Sequence, residues 1–141
     1  MNDADLFPYQ YQLIYYIPDL LHGEFVVMGF LLWSNQERDF RYYVTPDLSR
    51  AINFFAGAPD YFGRTLSAGL KTFQEACAEV ELSAFKDLSA IGFEILPPNS
   101  NALQLSEIKS AITDDLEKAY RQFVGRVERY SKKSSNLSES N

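Results

Sequence analysis

Two stretches decide the fold: Tyr9-Gln10-Tyr11-Gln12-Leu13-Ile14-Tyr15-Tyr16-Ile17 and Phe25-Val26-Val27-Met28-Gly29-Phe30-Leu31-Leu32-Trp33-Ser34. In the first, Tyr9, Tyr11, Leu13, Tyr15 and Ile17 share one face and Gln10, Gln12, Ile14 and Tyr16 the other. Period-two alternation of aromatic and β-branched residues predicts a strand. The second is apolar on both faces, the pattern of a central strand covered on both sides. Gly29 inside it predicts a bulge or the close approach of a neighbouring backbone. Ser34-Asn35-Gln36-Glu37-Arg38 is a polar hairpin loop, and Phe40 to Thr45 alternates again with Phe40, Tyr42 and Val44 on one face. Three strands joined by short links make an antiparallel meander.

Beyond the meander the period changes. Thr45 and Pro46 suit the cap and first position of a short helix with Ile52, Phe54 and Phe55 on its apolar side. From Tyr61 to Val80, Leu66, Leu70, Phe73, Cys77 and Val80 recur at three- and four-residue steps, which predicts an amphipathic helix. A further short helix is expected over Ser83 to Ser89, stopped by Gly92. Phe93–Leu96 and Leu103–Leu105 then read as short strands that pair with each other. A last helix is expected from Glu107 to Tyr130, with Ser106 as N-cap and Ile108, Ile112, Leu116, Tyr120, Phe123, Val124 and Val127 as its apolar stripe. Strands first and helices after them predict an α+β domain: an antiparallel sheet built on the N-terminal meander and packed by two or three helices, including a long C-terminal one.

The 141 residues suit one domain, placed at 7–130. Ser131 to Asn141 holds one apolar residue, Leu137, and is expected to be a disordered tail, because burial there cannot offset the ordering entropy. The formal net charge is −6. An acidic chain repels phosphate backbones, so nucleic acid is disfavoured as a partner, while the charge is compatible with a basic protein surface. Solubility alone is the plainer reading of the same charge. The single cysteine, Cys77, excludes an internal disulfide, which fits a reducing cytoplasm. The start Met1-Asn2-Asp3-Ala4-Asp5 is acidic, unlike a signal peptide, and the longest apolar run, Phe25 to Trp33, is too short to cross a bilayer as a helix. These features lead to the expectation of a cytoplasmic protein with no membrane partner.

Chemistry-bearing residues gather in one link, Pro18-Asp19-Leu20-Leu21-His22-Gly23-Glu24. Asp19, His22 and Glu24 are candidates for acid–base work or metal binding. The plainer reading is a polar turn in which Asp19 caps backbone donors and Glu24 pairs with a base. No nucleophile elbow, phosphate loop, Cys-x-x-Cys pair or His-Glu-x-x-His helix is present, so no cofactor and no metal is expected. Cys77 sits on an apolar stripe and reads as a small buried hydrophobe. Lys118, Arg121, Arg126, Arg129, Lys132 and Lys133 cluster late, either as complement to a helix dipole or as a basic spot for an anionic partner. Of 21 aromatic residues, 11 Phe, 9 Tyr and 1 Trp, fifteen fall between Phe7 and Phe62. They serve either as core or as a docking face. Tyr9, Tyr11, Tyr15, Trp33 and Tyr43 are the candidates for the latter, because Tyr and Trp combine apolar area with a polar handle.

The stretch from Tyr11 to Trp33 resembles a bacterial family known only as a domain of unknown function, number 3037. The pattern is an aromatic strand ending in Tyr-x-Pro-Asp (Tyr16, Pro18 and Asp19 here), a link ending in Gly23-Glu24, and an apolar strand with an internal glycine, Gly29. Tyr120-Arg121-Gln122-Phe123-Val124 resembles the family's C-terminal end. Members commonly carry arginine at the position of His22 and asparagine at that of Val27, so a polar site built on those positions with Glu24 is altered in this chain. The resemblance implies a partner or regulator role, because such proteins often accompany kinase-like proteins of the Hip toxin type. Three functions follow as expectations. The first is a non-enzymatic interaction module or regulator of a kinase-like toxin or defence protein. The second is a small enzyme using Asp19, His22 and Glu24. The third is a nucleic-acid-binding regulator using the Lys118–Lys133 stretch. The sequence leaves a homodimer open as well.

Overall fold

A computed structural model describes the backbone of residues 5–16, 26–46, 61–81, 87–96 and 103–139, and the side chains of all of these but 61–66, 93–94 and 130–139. Its elements run β1 (Phe7–Tyr16), β2 (Val26–Ser34), β3 (Asp39–Val44), α1 (Tyr61–Ala78), α2 (Leu88–Ile95), β4 (Leu103–Leu105), β5 (Lys109–Thr113) and α3 (Leu116–Glu139). The five strands form one open antiparallel sheet in the order β3-β2-β1-β4, with β5 also on β1. The fold is α+β, as the order of its periodicities predicts.

The meander forms where alternation places it. β1 and β2 are paired through Gln10–Trp33 to Tyr16–Val26, and β2 and β3 through Gly29–Val44 to Ser34–Asp39. In the hairpin loop Ser34 Oγ accepts from the Glu37 amide at 3.0 Å, and Arg38 takes a left-handed backbone at φ 52°. The predicted role of Gly29 holds on both counts. Between the pairs Ile14–Gly29 and Tyr15–Val27 the register shifts, leaving Met28 as an extra residue on β2. A Cβ at Gly29 would lie 1.9 Å from the Tyr43 carbonyl oxygen on β3.

The sheet carries a core on each face. Ile14, Tyr16, Val26, Met28, Leu31, Trp33 and Val44 pack with Leu70, Phe73 and Cys77 of α1 and with Leu88, Ile91 and Ile95 of α2. Phe7, Tyr9, Phe30 and Leu32 pack on the other face with Leu116, Ala119, Phe123 and Val127 of α3. The i, i+3, i+7 spacing of the last set is the stripe that a helix lays on a sheet.

Three expectations are corrected. Gly92 does not stop a helix: it lies inside α2, which begins after Asp87, whose carboxylate accepts from the Ala90 amide at 2.9 Å. The absent Cβ lets α2 sit close to the sheet, where a methyl would meet Leu105 Cδ1 at 3.0 Å and Gln12 Oε1 at 3.2 Å. Phe93–Ile95 is therefore helix, and Leu103–Leu105 pairs instead with Ile14–Tyr16 of β1. The last helix starts at Leu116, not Glu107, and its cap is Asp115, not Ser106; Lys109–Thr113 is a strand. The backbone of α3 is helical through Glu139. The short helix expected after Pro46, with Ile52, Phe54 and Phe55, lies outside the described residues.

Burial pushes the Cys77 thiol up to about 12, from 9.0, and the Tyr16 phenol up to about 12, from 10.0. Each folded group holds its proton where the unfolded group has lost it. Stability is therefore retained below pH 9 and declines as pH rises from about 9 toward 12. Two outcomes are expected: a urea midpoint that falls across that window, and a native thiol that reacts far more slowly at pH 8 than the denatured chain. Equal reactivity of the native and denatured thiol would contradict the burial of Cys77.

Candidate functional site

The far edge of β1 is built by one misfit. Between the pairs Ile14–Leu105 and Tyr11–Lys109, β1 supplies Gln12 and Leu13 while the opposite strand supplies Ser106, Glu107 and Ile108. That one-residue surplus breaks the ladder into β4 and β5. The freed backbone groups are satisfied locally. The Ser106 amide donates to Leu13 O at 2.9 Å, the Leu13 amide to Ser106 Oγ at 2.8 Å, and Gln12 Nε2 to Ser106 O at 2.8 Å. Serine suits the position because its hydroxyl replaces a missing main-chain acceptor.

The bulge sets the faces of β5. Lys109, Ala111 and Thr113 lie opposite Tyr11, Tyr9 and Phe7, on the α3 side; Ser110 and Ile112 lie opposite Gln10 and Pro8 on the other. Strand geometry then ends abruptly. Thr113 Oγ1 accepts from the Asp115 amide at 3.2 Å, and Asp115 Oδ1 accepts from the Glu117 amide at 3.0 Å, which caps α3.

Among the described residues β5 pairs only with β1, so its outer side is an edge. Alternate residues of such a strand turn their N–H and C=O away from the sheet. Ile112 is 65% exposed, and it is the one large hydrophobic residue so exposed among those described. On the α3 side, the Arg126 guanidinium lies 5.5 Å from the centre of the Phe123 ring. It also acts electrostatically on the Tyr9 phenol, whose pKa is raised by burial and by Tyr11 and lowered by Arg126. Tyr9 is the cross-strand partner of Ala111, so Arg126 and Lys109 flank the same side of this edge.

At the other edge, β3 is tied to α3 by polar contacts. Arg41 bonds Asp39 at 3.0 Å and pairs with Glu117, which also pairs with Arg121 at 3.3 Å. The Tyr43 hydroxyl donates to Glu128, and Thr45 Oγ1 bonds the same carboxylate oxygen at 3.3 Å.

Of the docking-face candidates, Tyr9 and Trp33 are buried and Tyr11, Tyr15 and Tyr43 are half-buried. Tyr9 and Tyr11 meet Phe123 at 6.5 and 5.0 Å between ring centres, and Tyr43 meets Phe30 at 5.8 Å and Tyr120 at 6.5 Å. The tyrosines of this face receive the protein's own C-terminal helix. Trp33 faces α1 and α2, with the Arg38 guanidinium 5.0 Å from its ring centre. Asp19, His22 and Glu24, with Pro18 and Gly23, lie outside the described residues. The flanks of that link, Tyr16 and Val26, are cross-strand partners. No group of three potential metal ligands occurs among the described residues, and no described helix is long and apolar enough to cross a membrane.

Lys109 and Ile112 were not visible as site residues in the sequence, because the four-residue steps Ile108, Ile112 and Leu116 mimic a helix. The signal that finds them is Thr113-Asp114-Asp115 before Leu116, a helix start that leaves Lys109–Thr113 outside.

Residues 11–127 match the family described as Protein of unknown function (DUF3037). The chain belongs to that family. The matched span takes in β5, the bulge at Ser106 and the packed part of α3, so the family resemblance seen at Tyr11–Trp33 extends over the candidate edge. Val27 packs against the core on the α3 side. Comparison with curated proteins and with solved structures finds no match.

Proposed function

We propose that the protein is an interaction module that takes up an extended segment of a larger protein along β5. The observation that carries this reading is the exposed Ile112 on an edge strand that no described residue pairs on its outer side. An edge strand supplies main-chain donors and acceptors for strand addition, and a protruding apolar side chain supplies an anchor. The other large apolar side chains described are buried or half-buried, most of them in the two cores, so the edge is the place where a partner gains most. The family resemblance names the first partner to try, a kinase-like protein encoded alongside, whose activity the module would regulate.

The test is co-purification of the full chain with its neighbouring gene product, followed by the Ile112→Asp variant. Ile112→Asp is expected to keep the native circular dichroism and thermal midpoint while weakening capture by about ten-fold or more, as loss of a central apolar anchor does. Capture that is indifferent to Ile112→Asp, or a chain that stays monomeric with every neighbour, would count against the reading.

A further inference from the structure

The chemistry flanking β5 also specifies the segment. We infer that β5 accepts a strand that alternates acidic and apolar side chains, an inference that rests on the edge reading above. A strand added to β5 continues the pleat, so its side chains fall alternately on the two faces of the sheet. One set lies beside Ser110 and Ile112, where the neighbour is apolar and exposed. The other set lies beside Lys109 and Ala111, on the side that holds Arg126.

Two other cations of this region are occupied by ion pairs. Lys118 and Arg121 are paired within α3's own turns, with Asp114 at 3.6 Å and Glu117 at 3.3 Å. Neither Lys109 nor Arg126 has a carboxylate within ion-pair distance among the described residues. Arg126 is held against the Phe123 ring, which orients a guanidinium in advance of binding. Between the carboxylates of Glu107 on one side and Asp114 and Asp115 on the other, these two cations make a small basic spot on one face of the edge. Carboxylates across from them complement it. A second copy fits less well. Two β5 strands paired antiparallel would gather the Lys109 and Arg126 of both copies on one face, and like charges there are unfavourable.

The test uses the full chain and four labelled probes, read by fluorescence anisotropy and by amide shifts of β5. The probes are a capped peptide of alternating Glu and Val, its Lys-and-Val counterpart, a block peptide of the first composition, and oligothymidylate. The alternating acidic peptide is expected to bind about ten-fold or more tighter than the other three and to weaken at about 0.5 M salt. Lys109→Glu combined with Arg126→Glu is expected to reverse the preference toward the Lys peptide, a swap that a merely unfolded variant cannot produce. Ile112→Asp should weaken both peptides. Equal binding of the acidic and basic peptides, or of the block peptide, overturns the proposed chemistry. So does a preference for oligothymidylate. If capture of the neighbour still depends on Ile112 in those cases, the edge reading stands and only the segment's character is wrong. If no peptide shifts β5 amides and capture ignores Ile112→Asp, both fall.

Discussion

Gly29→Ala is expected to destabilise the domain by about 3 kcal/mol or more, enough to remove much of the stability of a typical domain. The added Cβ would sit 1.9 Å from the Tyr43 carbonyl oxygen and 2.9 Å from its carbon. Both are main-chain atoms of the adjacent strand, so no side-chain rotation relieves the overlap. Either β3 moves away from β2 or the bulge at Met28 is lost. Moving β3 also strains the bond from the Thr45 amide to Met28 O, 2.8 Å long, and the contact of Tyr43 with Glu128. Loss of the bulge would turn one end of β2 over, exchanging core and opposite-face residues. Urea unfolding measures the effect through the midpoint. A Gly29→Ala protein within about 1 kcal/mol of the wild type would show that β2 and β3 are less closely apposed than described.

Phe30→Ala carries the second large effect, about 3–5 kcal/mol. Phe30 is 0% exposed and lies at the centre of the core on the α3 side. Its ring centre is 5.1 Å from that of Phe123, 5.5 Å from Tyr120 and 5.8 Å from Tyr43. Truncation removes the ring, leaves a cavity and deprives three further aromatic side chains of an edge or face contact. Ile112→Ala is the matching control, expected within about 0.5 kcal/mol because that side chain is already in water. Hydrogen exchange sharpens the test. In Phe30→Ala the amides of α3 should lose more protection than those of α1, which packs on the opposite face. Equal loss in both helices would mean that the two faces do not behave as separate layers.

How far the sequence foretells this molecule depends on where each element finds its partner. β1, β2 and β3 pair with their immediate neighbours, so alternation and a short polar loop suffice to draw them. The buried face of α1 is legible for the same reason, since Leu70, Phe73 and Cys77 announce one apolar side. Lys109–Thr113 is different. Its strand character is decided by pairing with Phe7–Tyr11, far away in the chain, while its local spacing resembles the helix that follows it. Gly92 misleads in the opposite sense. Glycine ordinarily weakens a helix, but here a methyl group would press on the Leu105 and Gln12 side chains of the sheet side. The tyrosines read in the sequence as either core or docking face, and Tyr9, Tyr11 and Tyr43 pack on the α3 side. The edge itself was hidden, because a residue such as Ile112 becomes exposed only once the strand is placed.

Gln12 and Ser106, bonded across the bulge, are 94 positions apart in the chain. During synthesis the meander can assemble early, but one side of its central strand then stays open until β4 and β5 emerge. Pairings so distant in sequence close late and slow the approach to the native state. Over that interval β1 shows an unpaired ladder with Tyr9, Tyr11 and Tyr15 along it, a template for association with other nascent chains. Pairing with β4 and β5 closes that template, and nonsense products ending before Leu103 should accumulate in the insoluble fraction.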